Sequence, residues 1–231
     1  MADLEEIQQV LGVSFKNISL LEQSLVHRSY LNENPDFSLP SNERLEFLGD
    51  AVLGLIVADN LYRGFTHLSE GEMTRLRAFL VRQETLAEVA TSLNLGQYLY
   101  LGRGEASGGG RERPSNLACA LEAIIGAVFI DQGLARTRKL VLRWLNPRLE
   151  KALQEEQGSD YKSRLQEVIQ ARQHLTPVYR MVEVVGPDHA RQFTAEVVVG
   201  KKVLGRGQGS SKQIAEMEAA RIALSNVSCS G

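Results

Sequence analysis

The chain has 231 residues, enough for a well-buried core and a second, smaller unit, and its formal net charge of −2 excludes a uniformly basic nucleic-acid binder. The charge is unevenly spread: residues 1–159 hold 16 Lys and Arg against 21 Asp and Glu, a balance of −5, whereas residues 160–231 hold 10 against 7, a balance of +3. Two cysteines, Cys119 and Cys229, stand at no zinc or disulfide spacing, which suits a reducing, cytoplasmic setting; the acidic N-terminus is no secretory signal, and no apolar run approaches membrane-spanning length, so a soluble protein is expected.

Up to about residue 152 the apolar spacing of three and four predicts helices over 19–30, 42–63, 69–93, 115–132 and 134–156. The second of these opens on Asn42-Glu43-Arg44-Leu45-Glu46-Phe47-Leu48-Gly49-Asp50, which sets Glu43, Glu46 and Asp50 on one face while Leu45, Leu48, Val52, Leu53, Leu55 and Ile56 supply the buried sides. Such a face is either solvated surface or a place where a hard cation compensates like charges. Gly49 inside the pattern costs about 1 kcal/mol relative to Ala, which points to close packing or a close approach. Ser69-Glu70-Gly71-Glu72 reads as a capping box that starts the third helix. Residues 102–110, rich in glycine, read as a flexible loop and not as a phosphate-binding one, because no strand precedes them and no Gly-Lys-Ser/Thr ends them.

The next segment, Ala118 to Ala127, is apolar nearly all round and carries one carboxylate, Glu122. A helix of this kind lies in a core, where a lone carboxylate needs a partner. Two partners are open on spacing alone: a buried arginine such as Arg44 or Arg75, or a cation shared with Asp50 if the two helices pack face to face.

Around residues 153–159 the chain turns polar, as a short linker does, and the periodicity then changes. A helical pattern (Tyr161, Leu165, Val168, Ile169) is followed by alternating runs over 178–185, 192–199 and 202–205, then by a helix from about Ser211 to Asn226. The order α-β-β-β-α predicts a small antiparallel sheet with both helices on one face.

The block Asn42 to Asp50 with Ala51-Val52-Leu53-Gly54 resembles the signature of ribonuclease III, and His27-Arg28-Ser29-Tyr30 and Glu122 to Ala127 resemble other blocks of that family. Residues 160–226 resemble its double-stranded RNA-binding domain, through Tyr161 to Glu167, Gly186-Pro187-Asp188-His189 and Lys212 to Glu216. The resemblance implies an all-α endonuclease and dimerisation domain over 1–152, a linker over 153–159, and an α+β RNA-binding domain over 160–228. It implies that Glu46, Asp50 and Glu122 hold Mg2+, with Glu43 and Glu70 assisting. Metal-activated water would cut both strands of duplex RNA, giving staggered products with 5′ phosphate. Phe47, on general grounds a core aromatic, would lie in a two-fold homodimer interface. Gln166, Glu167 and His189 would touch minor grooves, and Ser211, Lys212 and Gln213 would meet phosphate at a helix N-terminus; without this context Lys212 is an ordinary solvated lysine.

Two departures stand out. Cys119 occupies a position where the family usually has an aspartate ligand, and a thiol suits magnesium poorly. Another carboxylate or water would fill the gap, or Mn2+ would be preferred, or the protein would bind duplex RNA and cleave it slowly. Gln213 stands where a second Lys is common, which predicts weaker binding at high salt. The reading is a cytoplasmic, homodimeric, metal-dependent endonuclease of double-stranded RNA acting on ribosomal RNA precursors and messenger RNA; the alternative is a duplex-RNA-binding dimer with weak or no cleavage.

Overall fold

A computed structural model describes residues 3–187 and 191–228, which fall into two compact units divided between Leu149 and Glu150. In the first, α1 (Leu4–Leu11), α2 (Ile18–Ser24) and α3 (Arg28–Glu33) precede the long α4 (Glu43–Gly64). Then come α5 (Glu70–Val81), α6 (Gln83–Ser92), a 3-10 turn (Leu95–Tyr98), the short α7 (Arg103–Ser107), α8 (Pro114–Gln132) and α9 (Leu134–Gln173). The second unit uses the end of α9 with β1 (Val178–Val185), β2 (Gln192–Val199), β3 (Lys202–Gly209) and α10 (Lys212–Ser228).

Where the spacing predicts one helix over 19–30, the structure has two. Between them the backbone pairs with Tyr100 through Tyr100 N–H to Leu25 O (3.0 Å) and His27 N–H to Tyr100 O (3.1 Å), and His27 then caps α3 by accepting Ser29 N–H at 3.2 Å. The 69–93 pattern likewise breaks at Arg82, whose extended backbone (ψ 152°) accompanies a bond from the Thr85 hydroxyl to Phe79 O. The capping box is present: the Ser69 hydroxyl accepts Glu72 N–H (3.3 Å), and Ser69 N–H donates to the Glu72 carboxylate (2.7 Å). α1, absent from the sequence expectation, starts at Asp3, which accepts two backbone N–H groups, and ends at the left-handed Gly12.

α8 forms the centre of the first unit. At 19 residues it is long and apolar enough to cross a membrane, which amends the expectation that no apolar run reaches that length. It is nevertheless a core helix: Leu117, Leu121 and the run from Ala123 to Val128 are buried against α4, α6 and α2. The contact with α4 is closest at two glycines. A Cβ on Gly49 would stand 1.8 Å from the Glu122 carbonyl oxygen, and one on Gly126 would stand 2.2 Å from that of Leu45. The two backbones therefore touch, and the close approach that Gly49 implied in the sequence is made by α8.

The polar stretch expected as a linker is not a break in secondary structure, since α9 is one helix through residues 153–159, with Pro147 inside it. Local helix propensity of the Gln- and Glu-rich sequence outweighs its polarity. In the second unit the sheet order is β1-β2-β3, antiparallel throughout, with bulges after Met181 and Val197. Leu165 and Ile169 of α9 share one core with Val197 and Val199 of β2 and Ala219, Ala220 and Ala223 of α10, so both helices cover the same face.

The third strand runs four residues beyond the predicted 202–205 because its glycines alternate. Cβ atoms on Gly205, Gly207 and Gly209 would fall within 2.4 Å of α10 atoms at Ala219 or Ile214, so bare backbone is what lets α10 lie on the strand. Lys162 of α9 further ties the parts together, bonding Glu216 of α10 at 2.5 Å and lying 4.9 Å over the Tyr179 ring of β1.

Replacing Gly49 by Ala forces the α4/α8 backbones apart and should lower stability by about 3 kcal/mol, the upper range for overpacking. Gly54→Ala on the same helix, where a Cβ meets nothing within 4 Å, should be neutral or stabilising by up to about 1 kcal/mol. Urea unfolding midpoints of the two variants measure the contrast.

Candidate catalytic and RNA-binding sites

α4 is seated by Asn42, which is buried and does not cap the helix with its side chain. Its N–H donates to Val26 O at 2.8 Å, its amide to Ser24 O at 3.3 Å, and its own carbonyl accepts Glu46 N–H at 2.9 Å. The first turns of α4 are thereby anchored to the end of α2. Contact at Gly49 and Gly126 then sets Glu46 and Asp50, which flank Gly49, beside Cys119 and Glu122, which precede Gly126 on α8.

The result is a half-buried triad: ligand atoms of Glu46, Cys119 and Glu122 all lie within 4.8 Å of one another. Burial pushes the Glu122 carboxyl up to about 7, and the negative charges of Asp50 and Glu46 push in the same direction. Among the described residues no arginine acts on it, and Arg44 and Arg75, the partners the spacing left open, are exposed. The Cys119 thiol is pushed up to about 12, first by burial, then by its hydrogen bond to Glu46 and by the charges of Glu46 and Glu122. Burial and the neighbouring carboxylates favour the thiol over the thiolate.

Asp50 itself is exposed, one turn along α4 from Glu46. Glu43, also exposed, accepts the Ser41 hydroxyl at 2.8 Å and lies 3.9 Å from Arg28. Glu70 is placed elsewhere. It accepts the Thr74 hydroxyl at 2.9 Å and lines a cleft with Ala58, Leu61, Tyr62, Met73 and Arg77. Ala58 is eight residues, about 12 Å of helix, beyond Asp50. Within one chain Glu70 is therefore not brought to the triad. Phe47 is 81% exposed, against the general expectation of a core aromatic, and with Leu20, Leu48 and Ile130 it borders an apolar groove.

Two supporting residues carry no signal in the sequence. Asn116, one turn before Cys119, donates to Glu105 (2.7 Å) and to Gly110 O (3.0 Å), and Arg113 reaches the same Glu105 oxygen at 2.5 Å. Gly102 N–H donates to the Ser29 hydroxyl at 3.0 Å and Arg103 N–H to Glu33 at 3.0 Å. The glycine-rich 102–110 segment, expected as a flexible loop, is thus strapped between α3 and α8 and contains α7. Pairs separated by 6 to 73 residues, off any helical or strand period, leave no periodic trace.

In the second unit Gln166 and Glu167 are exposed on α9. The Ser211 hydroxyl accepts Ile214 N–H at 3.2 Å, capping α10, and Lys212 and Gln213 stand exposed at its first positions. His189 lies outside the described residues.

A helical unit with a buried carboxylate cluster, followed by a three-stranded sheet backed by two helices with a lysine at a helix N-terminus, has the parts of a two-domain nuclease with a duplex-reading module. Family models match both halves: "Ribonuclease-III-like" over residues 17–149 and "Double-stranded RNA binding motif" over 161–227. The chain is 51% identical over 224 residues to "Ribonuclease 3" of Dehalococcoides mccartyi, covering 97% of this chain and 94% of that protein. It is 43% identical over 225 residues to "Ribonuclease 3" of Treponema denticola, covering 97% and 91%. Among solved structures, the nuclease domain of ribonuclease III from Campylobacter jejuni superposes with a TM-score of 0.58 at 40% identity, covering 63% of this chain and 97% of that one; that domain shows structural flexibility in a region involved in dimer formation. The chain belongs to the ribonuclease III family. It is an endoribonuclease, with double-stranded RNA as its partner.

The Glu122 carboxyl makes metal-free stability depend on pH. Its folded value, about 7, lies above the ordinary 4.5, so its contribution is fully present below about 4.5 and is lost as pH rises through about 7. In chelator, Glu122→Gln should melt a few degrees above the parent at pH 8 and level with it at pH 4.5. A parent that is the more stable at pH 8 would reveal a positive partner for Glu122.

Proposed function

We propose that the protein cleaves double-stranded RNA as a metal-dependent homodimer, leaving staggered ends with 5′ phosphate. The observation that carries the metal dependence is the triad. Glu122 is half-buried with only like charges acting on it, and a donor set of carboxylates fits a hard divalent cation such as Mg2+ or Mn2+. Glu46, Asp50 and Glu122 would hold the ion. When bound, it supplies Lewis-acid activation of water and neutralises the leaving 3′ oxygen. Glu122 must release its proton to serve, so affinity rises with pH up to about 7. Cys119 stands beside Glu46 and Glu122 as a thiol. Glu43 and Glu70 assist from the periphery.

Dimerisation is supported by exposed apolar side chains: Phe47 and Ile130 border one groove, and Leu55, expected on a buried side of α4, is 55% exposed. Placing Phe47 beside the carboxylates explains why two sites would cut opposite strands. RNA is held by Lys212 and the N-terminus of α10, with the Ser211 hydroxyl and the Gln213 amide beside them, and by Gln166, Glu167 and His189 at minor grooves. We assign 1–152 to catalysis and dimerisation, 153–159 to a helical connector and 160–228 to RNA binding. Ribosomal RNA precursors and structured messenger RNA in the cytoplasm are the substrates this reading implies. The non-cleaving alternative is less well supported, because Glu46 and Glu122 converge despite Cys119.

Incubation with a long RNA duplex and Mg2+ or Mn2+ should yield short staggered fragments with 5′ phosphate, slowed about a hundredfold or more by Glu122→Gln. Shifted but intact RNA in both metals would sink the proposal. Phe47→Asp should sediment as a monomer and lose cleavage. Lys212→Ala should weaken RNA binding for all sequences and reduce the slope of log K against log salt by about 1.

A further inference from the structure

His27 stands where the segments that seat the two carboxylate-bearing helices are tied together. Its own N–H donates to Tyr100 O at 3.1 Å, and the carbonyl of the preceding Val26 accepts Asn42 N–H at 2.8 Å, which anchors the start of α4. Its ring nitrogen Nδ1 lies 2.7 Å from the Ser29 hydroxyl and accepts Ser29 N–H at 3.2 Å. The same hydroxyl accepts Gly102 N–H at 3.0 Å, so the imidazole reaches the 102–110 strap through one intervening side chain. The strap in turn holds Asn116 through the Glu105 carboxylate and Gly110 O, and Cys119 and Glu122 follow about one and two turns further along α8. We propose that His27 is a positioning residue for RNA cleavage, whose neutral imidazole couples the seat of α4 to the seat of α8 by accepting hydrogen bonds at Nδ1. The inference rests on the reading above that carboxylates of the two helices act together on the scissile bond.

Hydrogen-bond accounting fixes the tautomer. A backbone N–H can only donate, so Nδ1 must present its lone pair to Ser29, and the neutral ring then carries its proton on Nε2. Ser29 Oγ already accepts from Gly102, which leaves its own proton for Nδ1. The strap lies directly on α3: a Cβ on Gly102 would stand 2.6 Å from Ser29 O and 2.6 Å from the Glu33 carboxylate. Protonating Nδ1 would set an N–H against Ser29 N–H and remove the acceptor that caps α3. Among the described residues, the charged groups acting on the ring are Glu105 of α7, Arg28 of α3, Glu43 of α4 and Arg113 at the start of α8. Two negative and two positive charges largely offset, and burial, the largest influence, holds the imidazole below the usual 6.5. The surroundings thus favour the proton-free Nδ1 that the linkage needs.

The test compares His27→Ala, which removes the acceptor, with His27→Asn, whose Oδ1 replaces Nδ1 and which caps a helix well. Both are made in the full chain and assayed on duplex RNA with saturating Mg2+, well below their melting temperatures, with circular dichroism confirming the fold. The expected result is a kcat about tenfold lower in His27→Ala at unchanged KM, recovered to within about threefold of the parent in His27→Asn. NMR of protein labelled in its histidine rings, with the His27 signals assigned by their loss in His27→Asn, should place the proton on Nε2. Asn does not titrate, so across the pH range in which the His27 ring gains its proton, the kcat ratio of His27→Asn to the parent should rise by about twofold or more as pH falls. Titration of Glu122 is common to both proteins and cancels in that ratio. Full kcat in His27→Ala, no recovery in His27→Asn, a flat ratio through the His27 titration, or a proton on Nδ1 would reduce His27 to a helix cap and overturn the proposal. A parent whose cleavage is indifferent to Glu122→Gln would instead overturn the reading of the carboxylates, and this inference with it.

Discussion

The contact between α4 and α8 at Gly49 and Gly126 is the constraint on which the candidate catalytic site depends. Each glycine removes the Cβ that would collide with a carbonyl of the other helix, at 1.8 Å from Glu122 O and 2.2 Å from Leu45 O. Helix axes that ordinarily stay 8–10 Å apart can then approach until backbones touch. Residues flanking the contact inherit its geometry: Glu46 and Asp50 on one side, Cys119 and Glu122 on the other. Because both helices are long and buried, the carboxylates stand on rigid supports, which a metal or phosphate site needs more than a loop could offer. Asn42 fixes the start of α4 and the Asn116–Glu105 bond fixes the start of α8, so the two helices are also held near their N-terminal ends.

That rigidity concentrates negative charge inside a unit that is already acidic. Glu122 responds by holding its proton up to about 7, and Cys119 by remaining a thiol. The cysteine has a physical consequence of its own: an aspartate in its place would add a charge beside Glu46 and Glu122 at the same short range, whereas the thiol adds none. The metal-free cluster is less self-repelling for it, and the pull on a hard cation is weaker by one charge. Stability without metal and affinity for magnesium are thus set in opposition by a single side chain.

The second unit uses small residues in a related way. Alternate glycines of β3 bring the strand against α10 where Ala215, Ala219 and Ala223 line the helix. Close seating of α10, together with the Lys162–Glu216 bond, leaves the Ser211 cap, Lys212 and Gln213 at an exposed helix start, where backbone N–H groups and the dipole favour phosphate. A surface that binds a polyanion therefore needs few charges of its own, in keeping with the modest basic balance of residues 160–231.

The sequence by itself determined the two-unit organisation, the major helices, the three strands and the family, because periodicity and short motifs are local and each element's buried face is written in its own spacing. It also located the carboxylates of α4 and signalled through Gly49 that something approaches them. Local patterns were blind to interruptions made by distant partners: the break at His27 depends on Tyr100, the strapped 102–110 segment on Ser29, Glu33 and Asn116, and the length of β3 on α10. Only the tertiary structure decided that α8 is what touches Gly49, that Glu122 faces carboxylates and not Arg44 or Arg75, that Phe47 points outward, and that Glu70 stands away from the triad within one chain. Each of these turns on which faces of separate helices meet, and a helix's own sequence records that it has an apolar face without recording whose face it covers.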